Sequence, residues 1–111
     1  MRTFIVLFLA ALLCAGCSRG ARVTVVNASG AELKNVVASG SGFSVSIGTI
    51  APGDERRVYV QPAGESGLRL AFDANGKQFT SVPDVYLESS SNYKVKATVA
   101  PDFSVTMQDE N

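Results

Sequence analysis

The sequence contains no histidine and no tryptophan, and its 10 Lys and Arg residues balance its 10 Asp and Glu residues. Without histidine the chain can form no Ser–His or Cys–His nucleophile pair and no histidine-ligated zinc site. A formal net charge of zero differs from the basic excess that is typical of nucleic-acid-binding proteins. We therefore expect a protein that is not an enzyme and that binds no nucleic acid, no metal and no cofactor.

The first 16 residues have the composition of a secretory signal peptide. Arg2 is the only charged residue before an uncharged run from Phe4 to Gly16, and small residues end that run. As a helix the run would be about 20 Å long, whereas a bilayer core of about 30 Å needs roughly 20 apolar residues. We therefore expect a signal-peptide helix at residues 1–16 that is cleaved, rather than a permanent membrane span.

The residues that end this run, Leu13-Cys14-Ala15-Gly16-Cys17-Ser18, resemble the lipobox of bacterial lipoproteins. The resemblance implies that signal peptidase II cuts between Gly16 and Cys17, and that fatty acyl chains such as palmitate anchor Cys17 in a membrane. Cys14 stands where that family usually has Leu. Because Ser18 is not Asp, the resemblance also implies the outer membrane, with the domain facing the periplasm. The alternative is ordinary secretion with Cys17 as a free thiol.

After residue 22 the chain alternates apolar and polar residues, as half-buried β-strands do. Residues 23–26 and 58–60 follow this pattern less sharply, and residues 33–39 fit either a bulged strand or one helical turn. Turn signals separate the stretches, among them Pro52-Gly53 and the hairpin pair Asn75-Gly76. The clearest alternation runs over residues 43–48, 68–73, 93–99 and 103–108.

This pattern predicts an all-β fold, a single antiparallel β-sandwich of seven to eight strands. We place a tether that starts with lipidated Cys17 at residues 17–22, the sandwich at 23–108 and a frayed terminus at 109–111. We expect the first and last strands to be sheet edges. From Cys17 to Val23 the chain reaches at most about 18 Å, which would hold the domain close to the membrane.

Three stretches are similar to small immunoglobulin-like bacterial domains: Asn27-Ala28-Ser29-Gly30, Ile50-Ala51-Pro52-Gly53-Asp54 and Val58-Tyr59-Val60. In that family an Asn-x-Ser/Thr-Gly turn closes the first hairpin, and a Pro-Gly turn precedes a central strand. The resemblance therefore implies an immunoglobulin-like sandwich, and it implies no activity.

One strand carries a candidate interaction face. Tyr59 should lie on the face opposite Val58 and Val60, with Arg57 and Gln61 beside it, because successive side chains of a strand point to opposite sides. An exposed Tyr next to an Arg is typical of interface anchors, although ordinary sheet surfaces also carry such residues. Arg57, Tyr59 and Gln61 are therefore the residues that we expect to contact a partner.

The sequence thus favours a lipid-anchored protein of the bacterial cell envelope that acts as a non-catalytic interaction or structural module. Its partners would be the membrane, through the lipid, and an envelope protein. The alternative is a secreted periplasmic β-domain that binds a small ligand or a glycan, although three Tyr and no Trp provide little aromatic surface for sugars. The segment Gly64-Glu65-Ser66-Gly67 shares part of a nucleophile-elbow pattern, but without histidine we expect a simple turn there.

Overall fold

A computed structural model describes residues 20–82, 85–87 and 93–110. Within these ranges the chain forms ten β-strands and no helix, so the predicted all-β class is confirmed. Eight strands form two four-stranded sheets, and two very short strands pair with each other. In chain order the strands are β1 (Ala21–Asn27), β2 (Leu33–Gly40), β3 (Phe43–Ile50), β4 (Glu55–Val60), β5 (Ser66–Gly67), β6 (Arg69–Ala74), β7 (Lys77–Thr80), β8 (Tyr86–Leu87), β9 (Lys94–Val99) and β10 (Val105–Asp109).

The first sheet has the strand order β10-β9-β1-β4. β1 pairs antiparallel with β4 but parallel with β9, so the expectation of purely antiparallel pairing is wrong at this one junction. All four strands of the second sheet come between β1 and β9 in the chain. The chain can therefore return and enter β9 from the same end as β1, which a short hairpin turn does not allow. β1 is consequently a central strand and not the expected edge, which agrees with its nearly continuous burial.

The second sheet has the order β3-β2-β6-β7 and is antiparallel throughout. Asn75 and Gly76 close the β6–β7 hairpin with φ angles of 51° and 75°, the pair of positive values that a type I′ turn requires. The ambiguous stretch 33–39 is a bulged strand, since the pairing register of β2 with β3 shifts on both sides of Val36.

Side chains from both sheets form one hydrophobic core, which gives the molecule its sandwich-like character. Alternate residues supply it, for example Val23 and Val25 from β1 and Leu70 and Phe72 from β6, all at most 1% exposed. The ring of Phe72 stacks on that of Phe79 with 5.4 Å between centroids. Burial of these apolar surfaces supplies most of the free energy that favours folding.

The Asn27 turn joins the two sheets instead of closing a hairpin, because β1 and β2 belong to different sheets. The Pro52-Gly53 turn, closed by a hydrogen bond of 3.0 Å from the Asp54 N–H to the Ala51 carbonyl, leads into β4. β4 is an edge strand. Both detailed expectations drawn from the immunoglobulin-like resemblance, a first hairpin and a central strand after Pro-Gly, are therefore wrong for this chain.

Candidate interaction surface

Arg57 and Tyr59 lie on the outer side of the edge strand β4, as the alternation predicted. Val60 is buried and Val58 is half-buried on the core side, whereas Arg57 is exposed and Tyr59 is 55% exposed. Gln61 directly follows the last residue of β4 and is also exposed. These three residues are thus accessible on one side of the molecule.

The other predicted site residues belong to the lipidation signal. Gly16 and Cys17, between which cleavage is expected, lie outside the described residues. β1 begins at Ala21, only four residues after Cys17, so a chain from Cys17 to the sheet reaches at most about 14 Å.

Strand pairing brings further cations to the outer side of the first sheet. Arg22 lies in register between Lys94 on one side and Tyr59 on the other, and Thr24 lies between Lys96 and Arg57. The two rows are adjacent, about 7 Å apart along the strands. We call the set Arg22, Arg57, Lys94 and Lys96 the basic face.

The basic face carries four positive charges that no ion pair among the described residues neutralises. The ion pairs among the described residues lie outside this face: they join Lys34 to Glu32 at 3.7 Å and Arg56 to Asp54 at 3.4 Å, and both are solvent-exposed. Of the carboxylates in the described ranges, Glu55 and Glu110 lie at the margins of the face. Glu55 is paired with Val26 beyond the second row, and the backbone N–H of Glu110 donates to the Lys94 carbonyl over 2.7 Å.

Two residues at the centre of the face are shielded from water. Thr24 is only 5% exposed although it points away from the core, and the strands of Lys96 and Arg57 flank it. The Arg22 Nε atom is buried and has no hydrogen-bond partner within the described residues.

The sequence predicted that Arg57 and Tyr59 are exposed on one side of a strand. It did not predict that Arg22, Lys94 and Lys96 lie on the same side of the sheet. The alternation does indicate that Lys94 and Lys96 point outward. Arg22, however, falls within the expected tether, residues 17–22, and not within an expected strand. The parallel β1–β9 pairing places the beginnings of both strands at one end of the sheet. A pairing between residues more than 70 positions apart leaves no local pattern in the sequence that could have revealed it.

A polar cleft of about 370 Å³ lies elsewhere, beside the β2–β3 turn. Arg69, Glu65 and Tyr86 line it, and Tyr86 is 62% exposed. The Ser66 hydroxyl at its edge accepts a hydrogen bond from the Ser41 N–H at 2.7 Å and donates one to the Gly67 carbonyl at 2.9 Å. Ser66 therefore holds the β2–β3 turn in place, and its hydroxyl bonds to backbone groups of the described chain.

The described part of the chain contains no cluster of three or more Cys, His, Asp or Glu side chains suited to hold a metal ion. In the same residues no helix has the length and apolar character needed to cross a membrane.

Comparison with known proteins bears on the fold alone. No protein-family model matches the chain, and the curated proteins contain no significant match. Among solved structures, an NMR structure of a protein from Eubacterium rectale superposes with a TM-score of 0.60 at 11% sequence identity. The match covers 85% of this chain and 91% of the other. The two proteins share an all-β architecture.

Proposed function

We propose that this protein is a lipid-anchored lipoprotein of the bacterial cell envelope that serves as a non-catalytic interaction or structural module. The observation that carries the proposal is the short stretch of chain, four residues, from the lipobox-like Cys17 to the start of the folded domain at Ala21. β1 begins at Ala21, so a lipid on Cys17 would fix the sheet within about 14 Å of the membrane surface. The outer membrane, with the domain on the periplasmic side, is the location that Ser18 favours.

The intact mass of the protein purified from bacterial membranes tests this proposal, with Cys17→Ala as the matched variant. We expect the wild-type mass to show loss of residues 1–16 and addition of fatty acyl chains. We expect the variant to remain uncleaved or to leave the membrane fraction. A soluble wild-type protein with a free thiol at Cys17 and no acyl chain would refute the lipoprotein assignment.

We propose Arg57 and Tyr59, with Gln61, as part of the surface that this module presents to its partner. Their support is their common position on the exposed side of an edge strand. Detergent-solubilised wild type should retain a different set of envelope components from Arg57→Ala and Tyr59→Ala. The control is Gln78→Ala on the exposed side of β7, in the other sheet. Identical recoveries for all four proteins would exclude this surface.

We further propose that the two four-stranded sheets form an immunoglobulin-like sandwich. Two sheets with one shared core support this assignment. The parallel β1–β9 pair is the feature to compare with other members of that architecture. NMR measurements in which side chains of the two sheets show no contacts with one another would rule the assignment out.

The second candidate is a periplasmic domain that binds a small ligand or a glycan. The polar cleft favours it, because an exposed Tyr86 and the charged groups of Arg69 and Glu65 could stack on a sugar ring and hydrogen-bond to its hydroxyls. Titration with soluble cell-wall oligosaccharides, observed by NMR, should shift the resonances of these residues if the candidate is correct. Arg69→Ala would then weaken binding, and unchanged spectra at millimolar ligand would eliminate it.

A further inference from the structure

The basic face and the start of β1 lie at the same end of the first sheet. The row that contains Lys94, Arg22 and Tyr59 begins one residue after Ala21, where the tether enters the sheet. The second row, with Lys96 and Arg57, follows about 7 Å further along. All four cations therefore lie close to the start of β1, where the tether joins the sheet.

From this placement we propose that the basic face binds the anionic surface of a lipid bilayer, so that the first sheet lies against the membrane in which Cys17 is anchored. The inference extends the proposed function, since the lipid anchor would bring the domain to that surface. It assigns the ligand chemistry as phosphate headgroups that carry negative charge.

The charge of the basic face matches an anionic bilayer better than the charge of the outer side of the second sheet does. The outer side of the second sheet carries Lys34 and Arg69, but Lys34 forms an ion pair with Glu32 and has Asp73 beside it in register. The basic face has four cations, with Glu55 and Glu110 at its margins. An anionic bilayer attracts cations within about one Debye length, roughly 8 Å at physiological ionic strength, and a tether that reaches at most about 14 Å allows the face to come within that range.

The chemistry of the individual side chains fits an interfacial position. Lys and Arg can rest their aliphatic stems on the sheet while their charged ends reach the headgroups. Tyr59, 55% exposed in the row of Arg22, has the amphipathic ring that is enriched at membrane–water interfaces. Each cation near such a surface strengthens binding about fivefold, so four act together as a substantial electrostatic contact.

Tryptophan fluorescence provides the test, because the chain has no tryptophan of its own. Tyr59→Trp places a single reporter on the basic face, and Gln78→Trp places one on the exposed side of the other sheet. Each full chain is processed in bacteria, purified from membranes and reconstituted into vesicles. One set of vesicles contains phosphatidylcholine alone, and the other contains equal parts of phosphatidylcholine and phosphatidylglycerol.

We expect the reporter at position 59 to shift to the blue and to be quenched by brominated lipid only in the anionic vesicles. Salt at about 1 M, where the Debye length is about 3 Å, should abolish the shift. The double variant Arg57→Glu/Lys96→Glu should lose it. Arg69→Glu/Lys77→Glu, which changes the net charge equally on the other sheet, should keep it. Should the Glu variant fail to fold by circular dichroism, Arg57→Gln/Lys96→Gln replaces it.

An identical response in both kinds of vesicle, or equal behaviour of the two double variants, would overturn the inference. Loss of an acidic envelope protein from Arg57→Glu/Lys96→Glu pull-downs, with no fluorescence response to lipid, would overturn it in favour of a protein partner. If Cys17 carries no lipid, the result is different. The protein would then not float with neutral vesicles, but its salt-sensitive binding to anionic vesicles would persist.

Discussion

The side-chain amide of Asn27 donates a hydrogen bond to the backbone carbonyl of Ile50 over 2.9 Å, which joins the end of β1 in one sheet to the end of β3 in the other. The same amide donates to the Ala31 carbonyl at 2.6 Å, and Oδ1 accepts from the N–H and the hydroxyl of Ser29. Asn27 is completely buried. Its side chain therefore satisfies groups in two segments, the turn at Ser29 and Ala31 and the buried end of β3.

Replacement of Asn27 by Ala should lower the free energy of unfolding by about 3 kcal/mol, because buried carbonyls and the Ser29 N–H would lose their partner. Asn27→Asp keeps the acceptor for Ser29 but loses both donated bonds and places a buried negative charge against two carbonyl oxygens, so at neutral pH it should destabilise the fold at least as much as Asn27→Ala. Urea denaturation followed by circular dichroism measures both variants. A loss below about 0.5 kcal/mol for Asn27→Ala would contradict the joining role.

Phe103 adopts a φ of 65° in the turn between β9 and β10, although it is not glycine. The centroid of its ring lies 4.8 Å from that of Phe79 and 6.4 Å from that of Phe72, so aromatic packing offsets the backbone strain. Phe103→Ala should lose the packing and keep the strain of about 1–2 kcal/mol. Phe103→Gly loses the same ring but relieves the strain.

We therefore expect the melting temperature of the wild type to be higher than that of Phe103→Gly. The melting temperature of Phe103→Gly should be equal to or higher than that of Phe103→Ala. The greater chain entropy of unfolded glycine offsets part of the relief, about 0.4–1 kcal/mol. An alanine variant clearly more stable than the glycine variant would show that the left-handed conformation carries no strain here.

Asp102 in the same turn accepts hydrogen bonds at Oδ1 from the Ser104 hydroxyl at 2.6 Å and from the Ser104 N–H at 3.1 Å. The hydroxyl bond, followed by the backbone bond, lowers the pKa of the Asp102 carboxyl below its ordinary value. The folded state thus holds this proton more weakly than the unfolded chain does. The resulting stabilisation is present above the ordinary pKa of Asp and is lost as the pH falls through the lowered one.

Ser104→Ala should raise the pKa of Asp102 towards its ordinary value, whereas Ser104→Thr, which keeps a hydroxyl, should leave it lowered. NMR titration of the carboxyl carbon measures this directly. Equal titration curves for the alanine and threonine variants would show that the side-chain hydrogen bond has no influence.

Gly40, the last residue of β2, has no room for a side chain. A Cβ atom there would contact the Ser66 hydroxyl and would come within 2.6 Å of the Gly67 carbonyl oxygen. Gly40→Ala should therefore destabilise the fold by about 1–3 kcal/mol, since it would push the β5 segment off the β2–β3 turn. Ser39→Ala is the neighbouring control, for which thermal unfolding should change little. Equal melting temperatures for the two variants would disprove the close approach.

Local chemistry in the sequence determined the strands and several turns. The period-two alternation of residues 68–73 corresponds to β6, and Asn75-Gly76 forms the predicted two-residue hairpin. Both signals act between neighbours: alternation places one set of side chains in the core, and positive φ at two successive positions restricts the turn type. The expectations of an interaction surface at Arg57 and Tyr59 rested on the same alternation.

Only the tertiary structure decided how the strands are arranged. β1 could have been an edge strand by its position in the chain, yet it lies between β9 and β4. The bulge of β2 near Val36 resolved an ambiguity that periodicity alone leaves between strand and helical turn. The Asn27 turn crosses between sheets because its side chain bonds to Ile50, a partner 23 positions away.

The proposed lipid anchor and the basic face show the same contrast between what the sequence predicts and what the tertiary structure decides. A lipobox is a continuous stretch that a processing enzyme reads residue by residue, so the sequence alone suffices to predict it. The basic face collects residues 22, 57, 94 and 96 from three strands. Their alignment depends on the parallel register of β1 with β9, and that register is set by burial of both strands in a core to which the whole chain contributes.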